Sequence, residues 1–215
     1  MDTDDLIADL GHHPPRKPSR PASVIVAAAA LASLVVALML SVLWLKPRPD
    51  LAVPLIVDNH VFLLKLVFTV SVVAAALPVV RDLSIPGRRI GRASILMAIP
   101  FALIMVLVLR ELGVHHAPDW PSHADHAWLE CLWQIPALAA PALIILAIAV
   151  RRLAPTNLTR TGAYIGLLAG GIGAVGYALH CHHDSVAFVG TAYTLAILET
   201  ALVGALLGPR LLRWV

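Results

Sequence analysis

The chain has 215 residues, of which 59% are hydrophobic and only 13% are charged. The mean hydropathy of +0.83 excludes an ordinary water-soluble domain of this length and leaves little room for a separate soluble one. The net charge of +3 does not indicate direct nucleic-acid binding, because the basic residues fall in short clusters between apolar runs rather than on one soluble face.

Six apolar runs follow one another, each long enough to cross about 30 Å of hydrocarbon as a helix. They cover Ala22–Leu45, His60–Val80, Ala93–Leu109, Cys131–Val150, Gly162–Cys181 and Val186–Leu207. We therefore expect an all-α, multi-pass bundle of six transmembrane helices over 22–207. The tail over 1–21 combines a partner-binding segment with a Pro-rich spacer, and a short tail follows over 208–215. The first run is longer than the apolar core of a signal peptide, so we interpret it as a retained helix.

The basic residues between the runs predict the orientation. If the N-terminus is cytoplasmic, twelve Lys and Arg residues lie on the cytoplasmic side and only three lie outside, the bias of the positive-inside rule. The inner set is Arg16, Lys17, Arg20, Arg81, Arg88, Arg89, Arg92, Arg151, Arg152, Arg160, Arg210 and Arg213, and the outer set is Lys46, Arg48 and Arg110. An even number of spans returns the C-terminus to the cytoplasm, and both cysteines fall outside.

Two charged residues remain inside the predicted spans. Lys65 lies about 7 Å from the outer end of the second span, so we expect its long stem to lift the ammonium to the interface. Glu199 lies roughly 20 Å from the outer end of the last span, so a direct Lys65–Glu199 pair is not expected. Glu199 is predicted to meet a basic residue at the inner edge, such as Arg151 or Arg81, or to stay protonated between helices. A proton or substrate path is the remaining hypothesis.

Sequence motifs of enzymes have no suitable context. The stretch Gly171–Gly176 matches G-x-G-x-x-G, but it lies inside an apolar span without the strand and soluble helix of a dinucleotide site. Together with Gly166 and Gly170 it predicts a small-residue surface for close helix packing. No C-x-x-C pair, Ser-His-Asp, H-E-x-x-H or P-loop pattern suits an active site, so we do not predict an enzyme.

The two cysteines are predicted to lie at one membrane height. Cys131 opens the fourth span and Cys181 closes the fifth, and these spans form an antiparallel hairpin. Three interpretations stay open: a structural disulfide, which height alone does not establish; a soft-metal site; or hydrated interface histidines. The candidate metal ligands are Cys131, Cys181, His180, His182 and His183, and further histidines in the preceding outer loop are His115, His116, His123 and His126.

The N-terminal segment is acidic and carries a short apolar stripe. Leu6, Ile7 and Leu10 share one face of a short helix, and Asp4 and Asp5 stand near its start, where carboxylates favour the helix dipole. Such a segment is too short to be stable alone, but it can fold onto a groove in a cytoplasmic partner. An acidic disordered tail is the alternative.

These features together resemble the NrsF-like membrane anti-sigma factors. The resemblance covers nearly the whole chain, and the segment around Cys181 is its most specific part. It is carried by Thr3-Asp4-Asp5-Leu6-Ile7, Arg48-Pro49-Asp50-Leu51, Lys65, Cys131, Tyr177-Ala178-Leu179-His180-Cys181-His182-His183-Asp184-Ser185 and Gly208-Pro209-Arg210-Leu211-Leu212-Arg213-Trp214.

The resemblance implies a stress-responsive anti-sigma factor of the bacterial inner membrane. The N-terminal tail would hold an extracytoplasmic-function sigma factor, and Cys131 and Cys181 would be the sensing thiols, acted on by a metal or an oxidant. No cofactor is required beyond transient binding of a soft or divalent metal ion. The alternatives are a small metal-ion transporter that uses Lys65, Glu199 and the outer histidines, or a structural subunit of a membrane complex. The sequence does not predict an oligomeric state.

Overall fold

A computed structural model describes residues 3–4, 21–48, 60–88, 91, 93–114 and 125–213. This part of the chain is all-helical and contains six helices long and apolar enough to cross a membrane, which confirms the predicted fold class of a multi-pass membrane protein. In chain order they are α1 Ala22–Leu45, α2 His60–Leu83, α3 Ala98–Val114, α4 Asp125–Arg151, α5 Leu158–Ala178 and α6 Val186–Leu211. A short helix, Ala93–Leu96, precedes α3, and π-helical turns lie at Ser41–Leu45 and Val189–Tyr193.

Helix boundaries near the cysteines differ from the predicted ones. Because α4 begins at Asp125, Cys131 lies more than one turn inside the helix instead of opening it. Because α5 ends at Ala178, Cys181 lies in the connection to α6 instead of in the span. The backbone N–H of Cys181 donates to the Tyr177 carbonyl at 3.0 Å, and this tight turn brings the chain back over the end of α5.

The bundle has two chemically different ends. The cysteine end holds Cys131 and Cys181, the last residues of α1, α3 and α5, and the first residues of α2, α4 and α6. The opposite end, called here the arginine end, exposes Arg88, Arg151, Arg152, Arg160, Arg210 and Arg213. The last helix runs to Leu211, so the C-terminal tail begins four residues later than predicted. Which side of the membrane each end faces stays a prediction.

α5 is the central helix, with 78% of its membrane-spanning window buried. A Cβ added to Gly166 would meet α6, whereas one added to Gly171 would meet α2. Likewise Gly173 lies against α4 and Gly176 against α1. Because each glycine omits a side chain towards a different neighbour, four helices can pack closely around α5. The predicted small-residue surface is confirmed, and the G-x-G-x-x-G stretch lies wholly within this helix.

We expect Gly166→Leu to destabilise the bundle by about 1–3 kcal/mol, the usual cost of overpacking. A Cβ at Gly166 would lie 2.7 Å from the Ala201 Cα, so α5 and α6 must separate to admit any side chain. Thermal unfolding in detergent measures the loss. The matched control is Gly113→Leu, since nothing lies within 4 Å of that added Cβ. Equal destabilisation by the two variants would contradict the packing account.

Candidate functional site

The two cysteines are buried side by side at the cysteine end. Cys131 on α4 is 0% exposed and Cys181 in the α5–α6 connection is 3% exposed, and both are free thiols. The two thiols are near enough to influence each other, and Cys131 favours the ionised form of Cys181. The hairpin argument predicted their common height, and the structure adds that both belong to one buried cluster.

Further donors surround the sulfur pair. The Tyr177 hydroxyl lies on the side of Cys131, and the backbone N–H of His183 lies on the side of Cys181. The polar groups around the two sulfurs thus include a tyrosine hydroxyl, a backbone N–H and the Lys65 ammonium, which lies beside Cys181.

Cys181 has thiolate character. Its pKa is lowered from the usual value, mainly by the hydrogen bond from Cys131 and then by the positive charge of Lys65, and these effects exceed the opposing effect of burial. The Lys65 ammonium lies 3.8 Å from the Cys181 sulfur. The thiolate is the form that attacks oxidants and binds metals, so the lowered pKa favours Cys181 for such chemistry.

Tyr193 forms the α6 wall of the cysteine cluster. It is fully buried, and its ring centroid lies 5.8 Å from that of Tyr177. Its hydroxyl faces Cys181 but has no hydrogen-bond partner at bonding distance within the part of the chain that the structure describes. A buried hydroxyl without a hydrogen-bond partner destabilises the fold. The Tyr193 hydroxyl is therefore available to donate to a polar atom added at the sulfurs.

Asp184 joins two buried cations beside the cysteines. One carboxylate oxygen lies 2.8 Å from the Lys65 ammonium, and the other lies 3.1 Å from the Arg48 guanidinium. A second contact of 3.2 Å makes the Arg48–Asp184 pair bidentate. Both cations also donate to the Cys181 carbonyl, Lys65 at 3.2 Å and Arg48 at 3.3 Å. The connection that carries Cys181 is thereby fixed to α2 and to the end of α1.

The interfacial exposure predicted for the Lys65 ammonium is wrong. The side chain does extend towards the cysteine end, as its depth suggested, but it is 0% exposed and ends on Asp184 instead of in water. The physical reason is that a carboxylate at the same height compensates the charge without solvent. The expectation that Lys65 would not pair with Glu199 is confirmed.

Glu199 does not lie between helices, which corrects one of its predicted environments. Its side chain is exposed on the outward surface of α6. Within the described residues it forms no ion pair with Arg151, and the ion pair of Arg81 is made with Asp82. Lys65 forms an ion pair with Asp184, and Glu199 faces away from the bundle. Lys65 and Glu199 therefore do not line a shared path.

The end of α1 is fastened to the end of α5. Three hydrogen bonds cross between them in addition to the Arg48–Asp184 pair. They are Ser41 Oγ to the Gly176 carbonyl at 2.7 Å, Arg48 N–H to the Leu179 carbonyl at 3.1 Å, and His180 Nδ1 to the Lys46 carbonyl at 2.9 Å. Because a carbonyl only accepts, Nδ1 is the protonated nitrogen of His180. These bonds join the cysteine-bearing connection to the end of α1.

α3 holds the other side of the same connection. The Glu111 carboxylate accepts a hydrogen bond from the backbone N–H of Ala187 at 2.6 Å, in the first turn of α6. Ser185 caps the same turn by accepting from the Phe188 N–H at 3.4 Å. These contacts satisfy amide groups that a helix start leaves open and place negative charge at the positive end of the helix dipole.

The histidines near the cysteines do not assemble into a metal site in this structure. His182 and His183 are exposed, and His180 is bonded to α1. Among the described residues, no three His, Cys, Asp or Glu side chains are grouped to hold a metal ion. The side chains of the histidines over 115–126 lie outside the described part of the chain. Metal binding at the two sulfurs stays a prediction.

The predicted partner-binding segment lies almost wholly outside the described residues. Asp4 is helical and exposed, whereas Asp5, Leu6, Ile7 and Leu10 are not described. The segment enters α1 at Ala22, on the arginine end. The tail thus joins α1 at the end of the bundle opposite the cysteines.

Sequence reasoning missed several residues of the site: Arg48, Glu111, Tyr177, Asp184 and Tyr193. A buried Lys65 requires a carboxylate at its own height, and Asp184, three residues after Cys181, was available for that role. Tyr177 lies about one helical turn and Tyr193 about two turns from the end of its apolar run, where an aromatic ring more often marks an interface. Nothing in the pattern signalled that their hydroxyls face the thiols.

Comparison with known proteins assigns a family to this arrangement. The family model described as negative regulator of sigma F matches residues 6–214. An anti-sigma-F factor NrsF of Caulobacter vibrioides (strain NA1000 / CB15N) is 31% identical over 225 aligned positions, which cover all of both chains. A probable anti-sigma-F factor NrsF of Azospira oryzae is also 31% identical, over 221 positions and again all of both chains. No solved structure matches the chain.

Proposed function

This chain belongs to the family of negative regulators of sigma F, and from that premise we propose that it sequesters an extracytoplasmic-function sigma factor at the bacterial inner membrane. The family is regulatory, and the chain is an anti-sigma factor that is itself a multi-pass membrane protein. The N-terminal tail holds the sigma factor, and a metal ion or an oxidant acting on Cys131 and Cys181 releases it.

The distribution of basic side chains supports a cytoplasmic arginine end. Twelve of the Lys and Arg residues belong to this end and to the tail, and the positive-inside rule favours the cytoplasm for such clusters. The tail is then cytoplasmic, where a sigma factor is found. The cysteine end faces the outer, oxidising side, where thiol chemistry reports on the surroundings.

The observation that carries the proposal is the buried, interacting pair of thiols beside Lys65. Oxidation joins the Cys181 thiolate and the Cys131 thiol in a disulfide, and two electrons pass to the oxidant while the Cys131 proton is lost. A soft metal ion instead displaces the protons and binds both sulfurs as thiolates. Either event abolishes the free Cys181 thiolate that Lys65 neighbours at 3.8 Å, so Lys65 and Asp184 lose part of their electrostatic balance.

α1 connects this event to the tail. Ser41 in its last turn is bonded to the end of α5, and Arg48, three residues beyond its end, is bonded to Asp184. The first residue of α1 follows the tail directly. Its buried stripe consists mainly of small residues, Ala29, Ala30, Ser33 and Ala37 among them, which favours sliding or rotation against α4 and α5 over large repacking. A tenfold loss of affinity for the sigma factor needs only about 1.4 kcal/mol of coupling.

The test of sequestration is capture of the cognate sigma factor by the full chain in detergent. Deleting residues 2–10 is expected to lower the affinity at least about tenfold, because the apolar stripe and the acidic residues are removed together. Arg152→Gln, an exposed change at the arginine end, is the control and is expected to capture normally. Unchanged capture by the deletion variant would refute the role of the tail.

A further inference from the structure

We propose that α6 pairs with α6 of a second copy of this chain through a face centred on Glu199. Glu199 lies at the midpoint of the 26-residue span Val186–Leu211 and is exposed on the outward side of the helix. An ionisable side chain at this depth is costly when it meets lipid, and such residues normally face a protein surface or a water-filled cavity. A single copy of the bundle provides neither for Glu199.

The residues around Glu199 have the spacing of a helix-pairing seam. Leu195, Leu202 and Leu206 are 47%, 61% and 67% exposed, and with Glu199 they follow one another at intervals of four, three and four residues. This is the spacing of a left-handed helix pair, the crossing that most membrane helix pairs adopt. A single polar residue on such a seam determines register and partner.

The opposite face of α6 is already occupied inside the bundle. Gly204 and Gly208 lie against α5, where an added Cβ would meet backbone atoms of Gly166 and Gly162. The Glu199 seam is therefore free to bind a partner without disturbing the core. It also lies away from the cysteine cluster, so pairing and thiol chemistry can be tested separately.

The choice of a second copy follows from the available charges. Among the described residues, the basic side chains lie at the two ends of the bundle, apart from Lys65, which is bound to Asp184. No described basic residue lies at mid-span, so a different surface of the same bundle offers no positive charge to pair with Glu199. Two carboxyl groups are complementary when at least one is protonated, because the protonated group donates a hydrogen bond that the other accepts. Two-fold symmetry brings such identical residues together.

Cysteine cross-linking in native membranes tests the pairing. Leu202→Cys introduces an accessible thiol on the seam while Glu199 is retained, and Leu31→Cys is the matched control, since Leu31 on α1 is 64% exposed. A short bis-maleimide is expected to produce a product of twice the chain mass from Leu202→Cys only. The native cysteines are buried, and the unmodified chain serves as their control.

Dependence on the carboxyl group completes the test. Adding Glu199→Leu to Leu202→Cys is expected to lower dimer formation about threefold to thirtyfold, the range for one hydrogen bond between membrane helices. Glu199→Gln, whose amide groups can also pair, is expected to retain most of it. Equal cross-linking at Leu31 and Leu202, an unchanged yield with Glu199→Leu, or a product that contains a different protein would overturn the proposal.

Discussion

Replacing Asp184 by asparagine is expected to lower the stability of the protein by about 3–5 kcal/mol, the cost of leaving a buried charge without its partner. Asp184 is the shared counter-ion of Lys65, which is 0% exposed, and of Arg48, which is 7% exposed. The neutral amide keeps the shape of the side chain but removes the carboxylate charge from both cations, and the Cys181 sulfur, 3.8 Å from Lys65, offsets only part of that loss. Thermal unfolding in detergent and the level of protein in the membrane both measure the effect.

Lys65→Met is the informative comparison, and its expected loss is smaller. It removes one cation, and Asp184 keeps its bidentate contact with Arg48. Glu130→Gln, an exposed change at the same end, is the control for removing a carboxylate and is expected to be near neutral. A loss with Lys65→Met that equals or exceeds the loss with Asp184→Asn would contradict the role of Asp184 as a shared counter-ion.

Replacing Cys131 and Cys181 together by serine is expected to abolish the response to soft metals and oxidants while repression is retained. Serine preserves a small hydrogen-bonding side chain at each position but forms neither a disulfide nor a thiolate–metal bond. Expression of genes under the sigma factor is measured with and without the inducer. We expect the variant to lose at least about nine-tenths of the induction, equivalent to about 1.4 kcal/mol of coupling.

The control for this pair is Ser41→Ala. It removes the hydroxyl that bonds the Gly176 carbonyl but leaves both thiols in place, so a response of reduced size, not an absent one, is expected. Induction of the serine variant at the unmodified level would exclude the two cysteines as sensors. High expression of the serine variant without inducer would show instead that the thiols are needed for sequestration itself.

The six spans could be predicted from sequence because lipid imposes a simple requirement. A helix that crosses hydrocarbon needs about 20 apolar residues in succession, and each run in this chain meets that length. The glycine-rich surface of α5 was equally predictable, since small residues such as Gly166 serve close packing in membranes. The helix ends could not be predicted in the same way. The turn after Tyr177 depends on hydrogen bonds made by the α5–α6 connection, and hydropathy does not reveal these bonds.

The polar contacts of the site could be predicted only in part. Cys131 and Cys181 fall at one height because a hairpin dictates it, whereas the pairing of Lys65 with Asp184 joins residues 119 positions apart and depends on how α2 packs. The outward direction of the Glu199 side chain could have been predicted from the sequence. It shares a helix face with Leu202 and Leu206 and stands opposite the glycines that pack on α5, so helical periodicity alone places it away from the core.

The most direct measurement uses the purified full-length protein bound to its sigma factor in detergent, where both ends are accessible. A soft divalent metal ion or a two-electron oxidant is added, and the fraction of sigma factor that remains bound is recorded together with the state of Cys131 and Cys181. We predict release in proportion to the modified cysteine pairs, and no release from the double serine variant. Retention of the sigma factor after complete modification of both thiols would contradict the account.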